Sequence, residues 1–172
     1  MTLTSHQRPV RGATDVWLTP PWVIEQFGPF DLDPCAAPEP RPWSTAARHI
    51  TLPTDGLSAD WGDAFVWCNP PFGPDAAKWL DRMTRHRNGI ALVPARTETR
   101  WFVSTVWRLA DGILFLHGRP HFHYPNGERG KANSGAPICL VAYGPEATRR
   151  LAASNAGTYV PLPQEPTEGG QS

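Results

Sequence analysis

The chain has 172 residues, 40% of them hydrophobic, and its 16 basic residues balance 16 acidic ones. That length supports one domain with a buried core, no apolar run approaches the ~20 residues that span a bilayer, and zero net charge argues against a histone-like polycation. The three cysteines, Cys35, Cys68 and Cys139, are odd in number and widely spaced, which points to reduced thiols in a cytoplasm rather than to a disulfide framework.

Residues 1–14 are polar and lack the apolar stretch of a secretory leader, so a flexible segment is expected ahead of a folded region at 15–160. "TPPWVIEQFG" predicts a short helix, with Thr19 as N-cap, Pro20 in the first turn and Gly28 as its stop. "FDLDP" predicts a short strand ended by Pro34. Residues 36–60 hold too much proline for a full helix, although "HITL" suits a brief strand. "AFVWC" predicts a buried strand running into Asn69.

The run "DAAKWLDRMTRH" places Ala76, Trp79, Leu80 and Met83 on one helical face. "GIALVPA" is continuously apolar, as expected of a central strand buried on both sides. "WFVSTVWRLA" predicts a helix. "GILFLHG" and "APICLVAYG" predict two successive strands joined by the turn-rich "RPHFHYPNGERGKANSG". Alternating strands and helices followed by two strands give an α/β sheet closed by an antiparallel hairpin. "PLPQEPTEGGQS", residues 161–172, predicts a disordered tail.

Charge is unevenly spread. Residues 15–77 hold nine acidic and two basic residues, whereas residues 78–131 hold ten basic and four acidic ones. One half suits a cation and the other suits phosphate, unless the two mix in space. Fourteen of the sixteen bases are arginine, which favours bidentate contacts over diffuse attraction.

The segment with the most chemistry is "VWCNPPFG", residues 66–73. Pro70 and Pro71 remove two backbone donors, so nearby carbonyls cannot all join a regular ladder. The Asn69 side-chain oxygen and the Pro70 carbonyl can together accept both hydrogens of one amino group. Phe72 offers a flat face to a ring that carries the amine. Asn is too weak a base to take a proton outright, so its part is orientation and charge stabilisation. Such a site suits transfer of a small electrophile, for example a methyl group, to an aromatic amine. The plain alternative is a strand-to-helix turn.

In chain order the sequence presents "DVWLTPP", "FDLDPCA", "TDGL", "NPPF", "VPAR" and "GRPHF". This series resembles the small phage-type DNA N-6-adenine methyltransferases, the Dam family of phage and prophage, over about residues 15–144. The resemblance implies a Rossmann-like sheet, mostly parallel with a C-terminal antiparallel hairpin, in one compact domain. It implies S-adenosylmethionine as methyl donor, no metal, and double-stranded DNA as partner, in the cytoplasm of a bacterium or phage-infected host. Monomer and weak homodimer are both compatible with it.

Carried over by position, the resemblance implies that Thr19 and Pro20 touch the methionine part of the cofactor. Asp33, Pro34, Cys35 and Ala36 form the loop around its amino acid and ribose. Asp55 accepts a hydrogen bond from its adenine amino group, and Asn69, Pro70, Pro71 and Phe72 hold the target adenine. Independently of that carry-over, residues 117–135, a turn-rich loop with Arg119, Phe122, Arg129 and Lys131, are expected to approach DNA, because no other segment is long enough to replace a recognition domain. "DPCAAPEP" departs from the family in lacking the usual glycine-rich turn, and no acid stands at the end of a second strand.

Other readings stay open. The N-P-P-[FY] pattern also serves cytosine in DNA, adenine in RNA and protein glutamine, and a non-catalytic DNA-binding protein could keep the fold. His117, His121 and His123 lie close in sequence without the further ligands that complete a metal site. Trp17, Trp22, Trp61, Trp67, Trp79 and Trp107 are read as core or helix-packing residues. Trp101 and Phe122 are the aromatics considered near a flipped base.

Overall fold

The computed structural model describes residues 16–163, among which seven strands form one sheet. These are β1 (Leu32–Asp33), β2 (Arg48–His49), β3 (Val66–Cys68), β4 (Gly89–Pro94), β5 (Gly112–Leu116), β6 (Ile138–Tyr143) and β7 (Gly157–Pro161). The helices are α1 (Pro21–Phe27), α2 (Ala76–His86), α3 (Arg100–Phe102) and α4 (Pro145–Ala152). A π-helical turn, Val103–Trp107, continues α3.

The strands lie in the order β2-β1-β3-β4-β6-β5-β7. β1 pairs in parallel with β2 and β3, and β3 with β4. β4–β6, β5–β6 and β5–β7 are antiparallel and longer. The sheet is therefore mixed and mostly antiparallel in its pairing, which corrects the expected mostly parallel sheet. Two physical causes combine. Pro34 and the Asn69-Pro70-Pro71 run stop β1 and β3 after two and three residues, leaving short parallel ladders. β6 inserts between β4 and β5 and runs against both.

Periodicity along β4 shows how the core is built. Ile90 and Leu92 pack on one side with Val23, Phe27, Trp67, Leu140 and Leu151, while Ala91 and Val93 pack on the other with Leu80, Met83, Phe102, Val106 and Val141. Helices α1 and α4 thus cover one face, and α2 and α3 the other, as expected for a strand with a two-residue repeat. At one corner Arg87, in left-handed conformation (φ 61°), donates to both carboxylate oxygens of Asp111 at 2.7 and 2.8 Å. Asp111 Oδ2 also accepts the Gly144 N–H at 2.6 Å, tying α2, β5 and β6 together.

Several local expectations change. Pro20, in extended conformation, is the residue that caps α1, and no side chain caps that helix. The brief second strand is Arg48–His49 rather than "HITL". Helix α4 and strand β7 follow the last strand anticipated from sequence. Trp61, Trp67 and Trp79 are buried, but Trp17, Trp22 and Trp107 are exposed. Segment 1–14 and residues 164–172 lie outside the described residues; Pro161 closes β7, and the Leu162 N–H donates to the Asp111 carbonyl at 2.9 Å.

Candidate active site

Chain order diverges between β1 and β3: β2 lies beyond β1 on one side, and β4 lies beyond β3 on the other. In open α/β sheets, the carboxyl ends of strands flanking such a point form a natural crevice. Both strands end there in chemistry-bearing residues. β1 ends at Asp33 and continues into Pro34, Cys35 and Ala36; β3 continues into Asn69, Pro70, Pro71 and Phe72.

Asp33 is only 4% exposed. Its Oδ2 accepts the Thr45 hydroxyl at 2.5 Å and its Oδ1 accepts the Cys35 N–H at 3.1 Å. Burial nevertheless pushes its carboxyl up to about 6, against the lowering effect of these bonds. Thr45 sits in a turn organised by His49, whose Nε2 accepts the Thr45 and Ala46 N–H groups at 3.3 Å each. Cys35 Sγ lies 4.0 Å from Cys68 Sγ, linking the ends of β1 and β3. The hydrogen bond to Cys68 and burial raise the Cys35 thiol well above its usual range, which keeps it protonated.

Asp55 reaches this crevice through its neighbour. An added Cβ on Gly56 would lie 1.8 Å from the Pro34 carbonyl oxygen, so only glycine lets the 55–57 turn press against the loop after β1. Asp55 Oδ1 accepts the Leu57 N–H at 3.0 Å, and its side chain is otherwise exposed. The Trp61 Nε1–H donates to the Gly56 carbonyl at 2.8 Å and pins the turn from below. No glycine follows β1 itself, so the close backbone approach comes from a different segment.

Thr19 is 3% exposed and Pro20 is buried beside it. The Asn69 amide donates from Nδ2 to Thr19 Oγ1 at 3.0 Å, bringing two segments fifty residues apart into one site. Pro70 is buried, and Pro71 and Phe72 are exposed. The Phe72 ring is 49% exposed and meets Phe122 edge-on, with centroids 6.0 Å apart at 87°.

Phe122 is itself buried, so it backs Phe72 rather than presenting a face of its own. It opens a small hairpin that turns at Asn126-Gly127, with Gly127 at φ 87°. The Tyr124 N–H donates to the Glu128 carbonyl at 2.9 Å, and the Gly130 N–H to the Phe122 carbonyl at 2.8 Å. Leu18 and His123 exchange two backbone hydrogen bonds at 2.9 and 3.0 Å, so the hairpin is attached to the residue before Thr19. Trp43 packs edge-on to His123 and donates its Nε1–H to the Thr19 carbonyl at 3.1 Å.

Arg119, Arg129 and Lys131 are exposed on this loop, and none forms an ion pair among the described residues. His117, His121 and His123 point to separate partners: Thr158, the Gly130 carbonyl and the Gly127 carbonyl. Among the described residues no group of three or more His, Cys, Asp or Glu could hold a metal ion. No helix there is long and apolar enough to cross a membrane.

The structure thus joins Thr19 to Asn69, Phe72 to Phe122, Cys35 to Cys68, and the Asp55 turn to Pro34. Sequence reasoning missed Thr45 and Trp43, which carry no motif, and the attachment of the hairpin to Leu18. The Asn126-Gly127 pair is a hairpin signal that could have located the last.

The profile of the DNA N-6-adenine-methyltransferase (Dam) family matches residues 7–159. A curated relative named DNA N-6-adenine-methyltransferase, from Haemophilus phage HP1, is 28% identical over 144 residues, covering 77% of this chain and 80% of that protein. No solved structure matches the chain.

Proposed function

The chain belongs to the DNA N-6-adenine-methyltransferase (Dam) family, and from that premise we propose that it transfers a methyl group from S-adenosylmethionine to the N6 amino group of adenine in double-stranded DNA. The observation that supports this most is the position of Asn69-Pro70-Pro71-Phe72: it leaves β3 beside the Asp33 loop, with the Asn69 amide anchored and the Phe72 ring half-exposed. The donor set fits a cofactor of net positive charge. The Asp33 carboxylate is buried in the loop, Asp55 keeps a free oxygen in the turn packed on that loop, and Pro20 is buried at the start of α1. S-adenosylmethionine supplies a methyl group already activated on a sulfonium, and the chain's own residues do the rest.

Their task is to hold a poor nucleophile. The lone pair of an aromatic amine is delocalised into its ring. Asn69 Oδ1 and the Pro70 carbonyl accept the two amine hydrogens and draw the nitrogen toward tetrahedral geometry, localising that pair and stabilising the charge that develops. The target base must leave the duplex, which costs a few kcal/mol. Stacking on Phe72 offsets about 1–3 kcal/mol of it.

Two measurements test the binding half of this reading. Asp55→Ala removes a charge-assisted acceptor and should weaken S-adenosylmethionine binding by about 1.5–3 kcal/mol in calorimetry. Equal affinity in the variant would take Asp55 out of the cofactor site. Neutralising Arg129 and Lys131 together should reduce the salt slope of duplex binding by about 0.9 for each phosphate that these side chains neutralise in the wild type. An unchanged slope would put the DNA face on another part of the molecule.

A further inference from the structure

We infer that Thr19 is a positioning residue for the reaction: its hydroxyl fixes the plane of the Asn69 amide, so that Oδ1 is presented to the target amine before the substrate arrives. The inference rests on the proposed role of Asn69 and gives Thr19 a task separate from contacting the methyl donor.

Few groups can hold Asn69 in place. It follows β3 directly, and the next residue, Pro70, has no N–H with which to bind the amide back onto its own turn. The side chain is partly exposed, and among the described residues its Nδ2 donates to Thr19 Oγ1 at 3.0 Å. An amide is planar, so anchoring its nitrogen on one side directs its oxygen to the other. An unanchored amide would sample rotations and both flips, and misplacement of an acceptor by about 1 Å can cost on the order of 10²-fold in rate.

The anchor is itself rigid, as a supporting residue must be. Thr19 is 3% exposed, and its carbonyl accepts the Trp43 indole N–H at 3.1 Å. Its neighbour Leu18 is locked to His123 by two backbone hydrogen bonds. Its β-branched side chain has restricted χ1 freedom. Burial also means that Thr19 offers no surface of its own to DNA. The same bonds connect the 122–130 hairpin, through Leu18 and Thr19, to the reacting end of Asn69.

Steady-state methylation of duplex DNA by the full chain, with Thr19→Val, Thr19→Ser, Asn69→Ala and the double variant Thr19→Val/Asn69→Ala, tests this. Thr19→Val, nearly isosteric but without the hydroxyl, should lower kcat about ten- to a hundredfold, a larger factor than any loss of S-adenosylmethionine affinity that calorimetry reads in the same variant. Thr19→Ser should restore most of kcat. In the Asn69→Ala background, Thr19→Val should cost nothing further, because a residue that acts through Asn69 has no effect once Asn69 is gone.

Full turnover in Thr19→Val, or a loss confined to cofactor affinity, would overturn the inference while leaving the role of Asn69 intact. So would an undiminished effect in the Asn69→Ala background. Full turnover in Asn69→Ala would overturn the underlying reading and the inference with it. Should Thr19→Val fail to fold, Thr19→Ala removes the same hydroxyl without adding a methyl group, and the same outcomes decide.

Discussion

Asn69→Ala is expected to lower kcat for DNA methylation by about 10²–10³-fold, the usual loss when one preorganised polar contact to a reacting group is removed. S-adenosylmethionine binding should change little, because Asn69 is assigned to the amine and not to the methyl donor. The folded state loses one hydrogen bond, Nδ2 to Thr19 Oγ1, and leaves a buried hydroxyl short of a partner, at a cost of about 1–3 kcal/mol. A thermal melt therefore belongs beside the kinetics. Asn69→Asp sharpens the test. It keeps an acceptor and can receive the Thr19 O–H in place of the lost donation, so its turnover should lie well above that of Asn69→Ala. A folded Asn69→Ala protein with full turnover would reduce Asn69-Pro70-Pro71-Phe72 to a strand-to-helix turn.

Gly56→Ala should have the largest effect on the scaffold that the site depends on. A Cβ at this position would stand 1.8 Å from the Pro34 carbonyl oxygen and 2.9 Å from the Trp79 ring. The first neighbour is backbone, so the 55–57 turn and the loop after β1 must separate. Overpacking of this kind costs about 1–3 kcal/mol, and sometimes more. For a chain of this size that is a fall in melting temperature on the order of 3–10 °C. Cofactor affinity should fall with it, because the Asp55 turn and the Asp33 loop no longer meet in register. A Gly56→Ala protein that melts with wild type and binds the cofactor unchanged would show that the two segments do not need their close approach.

Several elements were readable from the residues alone. The apolar run "GIALVPA" forms the fully buried β4, and "DAAKWLDRMTRH" forms α2 with Ala76, Trp79, Leu80 and Met83 inward. What escaped was mostly non-local. The direction of a strand's neighbours is set by where the chain returns, and nothing within "APICLVAYG" says that it will insert between β4 and β5. Thr19 has the form of a helix cap, yet its hydroxyl is taken by an amide fifty residues away. Trp17 and Trp22 look like core residues by composition, but Trp17 stands exposed before the buried Leu18-Thr19-Pro20 stretch, and Trp22 is exposed on α1, whose buried residues are Val23 and Phe27. The π-helical turn after α3 also carries a non-local contact, the Tyr143 hydroxyl donating to the Thr105 carbonyl at 2.9 Å. The motifs that carry the family resemblance are short and local, whereas the convergence of their segments depends on glycine at position 56 and on the hairpin holding Leu18.

The proposed methylation of adenine N6 in duplex DNA, with Asn69 at the end of β3 holding the amine, can be read out by nucleoside mass spectrometry. Duplex DNA is incubated with the full chain and isotopically labelled S-adenosylmethionine, alongside Asn69→Ala and parallel reactions on single-stranded DNA, RNA and protein. Label is expected in N6-methyladenine from the duplex, and should be nearly absent with Asn69→Ala. Label in N4-methylcytosine, in RNA or in protein glutamine, or no transfer by the folded wild type, would contradict the proposed activity.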